Sequence, residues 1–307
     1  MSQRCLRLGW APSALALALM LTVSSRADEV YIAAGDSVTY GFDRSSLTYA
    51  TPTLGDQGFV KPFANFLAAG NGGVRPQVQN LGVVGELSRS FFDATPPPGW
   101  TQRIPQLNLH YTNDTTAQNT LLLSTIAAVH KAGNSVGTFN FLIGGNDFFY
   151  LTNTPAFLGP TPADQLAMVG SAIVVIQQNY LKVLGEVQAL APEAHIILPG
   201  YYDPFPVGTP QHGFYEQVLA NFNPVIQLDA AMIGATYVDF HTPFLGRELE
   251  LTNIGISDIH PNQAGYAVLG AALIHAAAVP EPASLAMMGL GLAGVGLLAR
   301  RRTARRA

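Results

Sequence analysis

A short apolar run, residues 30–34, ends in Gly35-Asp36-Ser37, and this stretch constrains the fold more than any other in the 307-residue chain. An apolar run of that length closed by glycine reads as a buried strand. Glycine permits a tight exit from a sheet, so Ser37 falls just past the strand's carboxyl end, where open α/β sheets place their chemistry. Four more runs read as strands: residues 74–81, 138–143, 194–199 and 236–240. Between and after them lie segments with helical patterning at 60–69, 120–131, 161–190, 212–233 and 262–277. The longest of these opens on Thr161-Pro162-Ala163-Asp164, a threonine cap with proline in the first turn. Strands separated by helices predict a parallel sheet covered on both faces. The stretch 91–116, with Pro96-Pro97-Pro98, Gly99 and Trp100, reads as an excursion whose aromatic residues need cover.

The formal charge of −4 averages three unlike parts. Residues 1–27 hold Arg4, Arg7 and Arg26 and no acid, with an apolar stretch at 14–23 and small residues at Ser25 and Ala27. That is the pattern of a secretory signal peptide, cleaved after Ala27; its apolar run is shorter than the roughly 20 residues a membrane span needs. Residues 28–278 hold eight lysines and arginines against nineteen acids, a net charge near −11. A domain that acidic is a poor partner for nucleic acid. Cys5, the only cysteine, falls in the leader, so the mature chain has no disulfide or thiolate metal site. Residues 279–307 start at Val279-Pro280-Glu281-Pro282, continue through an uncharged stretch at 283–299, and end in an arginine cluster from Arg300. This resembles the PEP-CTERM sorting signal, which implies export, an exosortase-type processing partner and a C-terminal membrane anchor. The apolar stretch would span about 25 Å as a helix, with the arginines cytoplasmic and the domain outside. Such a protein starts at the periplasmic face of the inner membrane and reaches the surface or medium after processing.

Three further blocks give Ser37 its meaning: Asn80-Leu81-Gly82-Val83-Val84-Gly85, Gly144-Gly145-Asn146-Asp147 and Asp258-Ile259-His260-Pro261-Asn262. Together with Gly-Asp-Ser, in this order, they resemble the SGNH, or GDSL, hydrolase family over roughly residues 29–278. The resemblance implies one three-layer α/β/α, flavodoxin-like domain and a serine esterase or lipase needing no metal or cofactor. Ser37 is then the nucleophile and His260 the base that takes its proton. The donors to the developing oxyanion are the backbone N–H of Ser37 and Gly85 and the side-chain amide of Asn146. Gly85 is preferred to Gly82 because it falls five residues after Asn80, as in the family's second block. Asp36 and Asp147 are expected to brace their loops.

The third member of the triad is the unsettled one. The family's aspartate lies three residues before the histidine, where this chain has Ser257; Asp258 lies two before. Asp258 is the candidate acid, and Asp239-Phe240-His241 is a rival pair of the same spacing. Two bare patterns are rejected on context. Gly133-Asn134-Ser135-Val136-Gly137 matches a nucleophile elbow but has a helix before it and a strand after. Gly289-Leu290-Gly291-Leu292-Ala293-Gly294 matches a dinucleotide fingerprint inside the apolar tail, with no strand before it. Trp100 either covers the core or lines a substrate pocket. The expected function is an exported esterase acting on a small-molecule, lipid or glycan ester. An O-acetyl esterase on exported polysaccharide, a phospholipase and a non-catalytic surface protein on the same fold are the alternatives.

Overall fold

The computed structural model describes residues 29–46, 51–159 and 161–278. The expected leader and tail, with Cys5 and the Gly289 to Gly294 pattern, lie outside the described residues. Five strands, β1 (Glu29–Gly35), β2 (Gln77–Asn80), β3 (Ser135–Leu142), β4 (His195–Pro199) and β5 (Thr236–Val238), form one parallel sheet in the order β2-β1-β3-β4-β5. β1 lies at the centre and reads as a continuous apolar run because both its faces are covered. Its register with β3 runs from Glu29 opposite Ser135 to Gly35 opposite Leu142, with a shift between Val30 and Tyr31.

Parallel neighbours need crossover connections, and the right-handed rule sorts the helices onto two faces. On one face α2 (Val60–Gly70) packs against α10 (Gln263–Ala278); on the other α7 (Pro162–Leu190) packs between α4 (Gln118–Lys131) and α8 (Pro210–Ile233). The result is the expected three-layer α/β/α sandwich. Thr161 caps α7 through a capping box with Asp164, and Thr209 caps α8 by accepting the His212 N–H at 3.2 Å. The core is dense in aromatic rings, among them Tyr31, Phe63, Phe139, Phe141, Tyr180 and Phe222, all essentially inaccessible to solvent.

Element bounds shift modestly from the sequence reading. β2 is only four residues, Gln-Val-Gln-Asn, because it is the sheet edge and is half exposed. Ser135 opens β3, which excludes an elbow there. Short helices α1 (Ser37–Tyr40), α3 (Ser90–Asp93), α5 (Gly145–Thr152), α6 (Pro155–Leu158) and α9 (Glu248–Leu251) fill connections at the carboxyl edge. Chain order reverses around β1, with β2 on one side and β3 on the other, so the crevice opens where β1 ends.

That exit depends on Gly35. It has φ of +141°, and a Cβ there would lie 1.9 Å from the Leu142 carbonyl oxygen. Gly35→Ala must therefore strain the backbone and push β3 away. We expect a loss of about 3 kcal/mol or more, or failure to fold, in urea unfolding followed by far-UV circular dichroism; a loss within 1 kcal/mol would contradict this reading of the turn.

Candidate active site

Directly after Gly35, Asp36 caps α1. Its Oδ1 accepts the Val38 N–H at 2.9 Å and its Oδ2 accepts the Tyr201 hydroxyl at 2.5 Å. Burial pushes the Asp36 pKa up to about 6, against the pull of these two bonds and of nearby His260. Ser37 follows in the first turn, 4% exposed. Its Oγ lies 2.7 Å from His260 Nε2, and His260 Nδ1 lies 2.6 Å from Asp258 Oδ1. All four atoms are satisfied if Nδ1 carries the imidazole proton and the serine hydroxyl donates to Nε2, an assignment made from the partners.

The loop carrying Asp258 and His260 is held from several sides. The Asn253 N–H donates to the His260 carbonyl at 2.9 Å, and the Asp258 N–H donates to Asn253 O at 3.2 Å. Tyr202 donates its hydroxyl to Ile259 O at 3.1 Å, and the Phe42 ring lies 4.6 Å from the imidazole, centre to centre. Ser257 adopts a left-handed conformation, φ +58°, unusual for a residue with a side chain. With that turn, the Asp258 carboxylate reaches the ring's Nδ1 although it is one position closer than the family spacing. The rival pair goes elsewhere: Asp239 Oδ1 accepts the backbone N–H of His241 and Thr242, while His241 Nε2 lies 2.8 Å from Glu216 Oε1.

Gly85 and Asn146 face Ser37 across an open groove of about 360 Å³ that His260 also lines. Gly85 has φ of +73°, and a Cβ would stand 2.0 Å from Gln102 O. Gly82 is a glycine for a different reason: a Cβ there would press on the Tyr40 backbone N at 2.6 Å, blocking the approach of α1. Asn146 donates one amide N–H to Glu86 O at 2.9 Å. A carboxamide has two, so the second can serve a ligand oxygen. Asp147 accepts the Ser88 N–H at 2.9 Å and the Ser88 hydroxyl at 2.7 Å, so it ties the α5 start to the Gly85 loop.

Two side chains support this loop: Trp100, which the sequence left between covering the core and lining a pocket, and Glu86, which the sequence did not single out. Trp100 Nε1 donates to Gly85 O at 2.8 Å, so Trp100 lines the groove and pins the loop instead of covering the core. Glu86 is fully buried, and Arg103 Nε meets both its oxygens at 3.1 and 3.2 Å. Burial raises the Glu86 pKa, opposed chiefly by Arg103. Ser37 also borders a second space, a narrow apolar cavity of about 50 Å³ walled by Phe148, Phe149, Tyr215, Leu219 and Phe222.

A family model described as the GDSL-like lipase/acylhydrolase family matches residues 33–268. The chain belongs to that family. A second model, the PEP-CTERM protein-sorting motif, matches residues 278–302, which points to export and C-terminal membrane anchoring. Among solved structures, a GDSL-like lipase structure from Parabacteroides merdae is 17% identical at a TM-score of 0.50, covering 82% of this chain and 96% of its own. The acetylxylan esterase Axe2 of Geobacillus stearothermophilus is 16% identical at a TM-score of 0.50, covering 83% and 96%. Phospholipase A1 of Streptomyces albidoflavus NA297 is 19% identical at a TM-score of 0.50, covering 80% and 100%. At these identities the likeness concerns the fold. No curated protein matches the sequence significantly.

Within this GDSL-like domain, Asp147 makes a measurable pH signature. Burial pushes its pKa up to about 6 from 3.8, and the two Ser88 bonds only partly offset this. A carboxyl whose folded pKa exceeds its unfolded value holds its proton more tightly when folded, so its contribution favours folding at low pH. That contribution is lost as pH rises from about 4 to 6. Relative to Asp147→Asn, the native chain should lose about 2–3 kcal/mol of stability across that window in urea titrations at several pH values. Parallel pH curves for the two proteins would show that Asp147 does not titrate this way.

Proposed function

We propose that the protein is an exported serine esterase that hydrolyses carboxylic esters through a covalent acyl-enzyme. One observation carries this reading: the Ser37 Oγ to His260 Nε2 contact of 2.7 Å, continued by His260 Nδ1 to Asp258 Oδ1 at 2.6 Å. The hydroxyl is too weak a nucleophile alone and needs the imidazole to take its proton as the C–O bond forms. Asp258 holds the tautomer and stabilises the imidazolium. The tetrahedral oxyanion is received by the Ser37 and Gly85 amides and the free N–H of Asn146. His260 then gives its proton to the departing alcohol, and the acyl–oxygen bond breaks. Water, deprotonated by His260, attacks the acyl-serine, and collapse of that second adduct returns the proton to Ser37 and frees the acid.

The two spaces beside Ser37 favour a substrate with unequal halves. A 50 Å³ aromatic cavity suits a short acyl chain, whereas the 360 Å³ groove, lined by Trp100, Gln102, Asn153 and Arg44, suits a bulky polar alcohol. This supports short-chain acyl groups on a glycan over long-chain lipid. With the Asp258 carboxylate at the imidazole, its shifted spacing gives no reason to prefer a non-catalytic protein on this fold. Export through the leader and anchoring by the C-terminal signal, followed by exosortase-type processing, would put the reaction outside the cytoplasm.

Hydrolysis of p-nitrophenyl acetate, butyrate and decanoate tests the reading. Ser37→Ala should lower kcat at least about 10,000-fold in a folded protein. Asn146→Ala should cost about 100- to 1,000-fold. Asp258→Asn should cost more than 100-fold, roughly, while Asp239→Asn leaves the rate within about twofold. Activity surviving in Ser37→Ala, or loss in Asp239→Asn with none in Asp258→Asn, would reassign the site.

A further inference from the structure

Behind the wall of the apolar cavity lies a second cluster that the ester chemistry does not use. Asp203 follows β4 in the loop 200–204, and His212 and Glu216 stand one turn apart on α8, which puts both on one face of that helix. One carboxylate or imidazole atom from each of these three residues lies within 4.8 Å of the other two. Asp203 is 2% exposed, and its Oδ1 accepts the Phe205 N–H at 2.9 Å. Its Oδ2 lies 2.9 Å from His212 Nδ1, yet both atoms are buried without a hydrogen bond to any described group. The two atoms make an ion-pair contact that is poorly aligned as a hydrogen bond, so a cation placed between them could take over the role of the shared proton.

We propose that Asp203, His212 and Glu216 form a binding site for a divalent transition-metal cation. Two cis ligands on a metal with bonds of 2.0–2.1 Å stand roughly 2.8–3.4 Å apart, and Asp203 Oδ2 and His212 Nδ1 lie 2.9 Å apart, at the short end of that range. An imidazole with two carboxylates suits Zn²⁺ or Mn²⁺ more than Ca²⁺. Glu216 is already oriented from behind, because His241 Nε2 holds its Oε1 at 2.8 Å. An orienting hydrogen bond of this kind is the usual support of a ligating carboxylate. Asp203 and Glu216 each face a histidine, His212 and His241, and a cation would draw both carboxylates onto one centre.

The cation would act on the site next door without touching substrate. Tyr202 and Pro204 flank Asp203, Tyr215 precedes Glu216, and all three line the apolar cavity. The same loop carries the Tyr201 hydroxyl bound to Asp36 and the Tyr202 hydroxyl bound to Ile259 O. Cation binding would therefore fix the cavity wall and the approach to His260 together.

The test reads binding and stability, not turnover, so it stands apart from the esterase reading. The full-length chain in detergent is stripped with EDTA and dialysed against ZnCl₂ or MnCl₂, and bound metal is measured by mass spectrometry. One equivalent per chain is expected, falling to background in Asp203→Asn and His212→Gln. Glu216→Gln, at a partly exposed position, should weaken binding at least about tenfold with little effect on folding. Metal at a hundredfold over its Kd should raise the melting midpoint by about 5–10 °C in the native chain and not in the variants. Background metal in the native chain would overturn the proposal. So would one equivalent retained by all three variants, which places the ion elsewhere.

Discussion

The close passage of β1 over β3 at Gly35 governs everything at the carboxyl edge of the sheet. Gly35 presses so near the Leu142 carbonyl that no side chain fits, and its backbone lies in a region that favours glycine. Because the strand can end so abruptly, α1 starts within two residues, and the Asp36 N–H still donates to Leu142 O at 3.1 Å. Gln118, from the opening of α4, closes the turn with a bond to the Gly35 N–H at 2.6 Å and another to its carbonyl at 2.9 Å. Ser37 is thereby held over the crevice by sheet, helix and turn at once.

From that anchor the remaining loops are fixed chiefly to each other. Asp36 holds Tyr201 of the β4 loop, Tyr202 holds the His260 loop, Asp147 holds the Gly85 loop, and Asn146 and Trp100 hold it again from two sides. Each neutral bond contributes about 1 kcal/mol, and those to a carboxylate about 1.5–3 kcal/mol. In the proposed reaction their value would be geometric, because donors already in place need no reorganisation when charge develops. The arrangement costs stability, since Asp36 and Asp147 are both buried deeply enough to raise their pKa to about 6.

What could be read in advance follows from how local each cause is. β3 and β4 were legible because a fully buried parallel strand is a continuous apolar run, and α7 because its cap and proline lie in four adjacent residues. α5 was not, since Gly144-Gly145-Asn146-Asp147 looks like a loop; it enters a helix at once because Gly144 takes φ of +116°. Ser37, His260, Gly85 and Asn146 were picked out by resemblance, and that they line one groove depends on topology. The Trp100 contact to Gly85 depends on how the chain folds back on itself across a separation of 15 residues, which no local pattern encodes. The cluster near α8 was half visible: His212 and Glu216 have the spacing of one helix face, but Asp203 joins them only through the turn after β4.

Asp258 shows why spacing is a weak guide to which carboxylate meets an imidazole. The imidazole needs an acceptor at Nδ1 within hydrogen-bond reach, and nothing in that need refers to chain distance. A loop can meet it from three residues away with ordinary backbone, or from two with one residue turned into the left-handed region. Here Ser257 takes that turn, and the strain of order 1–3 kcal/mol is held in place by the Asn253 bonds around it. Asn253 in turn donates its side-chain amide to Asp43 Oδ1 at 2.8 Å, which ties the turn to the loop following α1. The two ends of the chain segment that brings Ser37 and His260 together are therefore joined a second time, away from the reacting atoms. That second tie lets a shortened spacing deliver the same geometry.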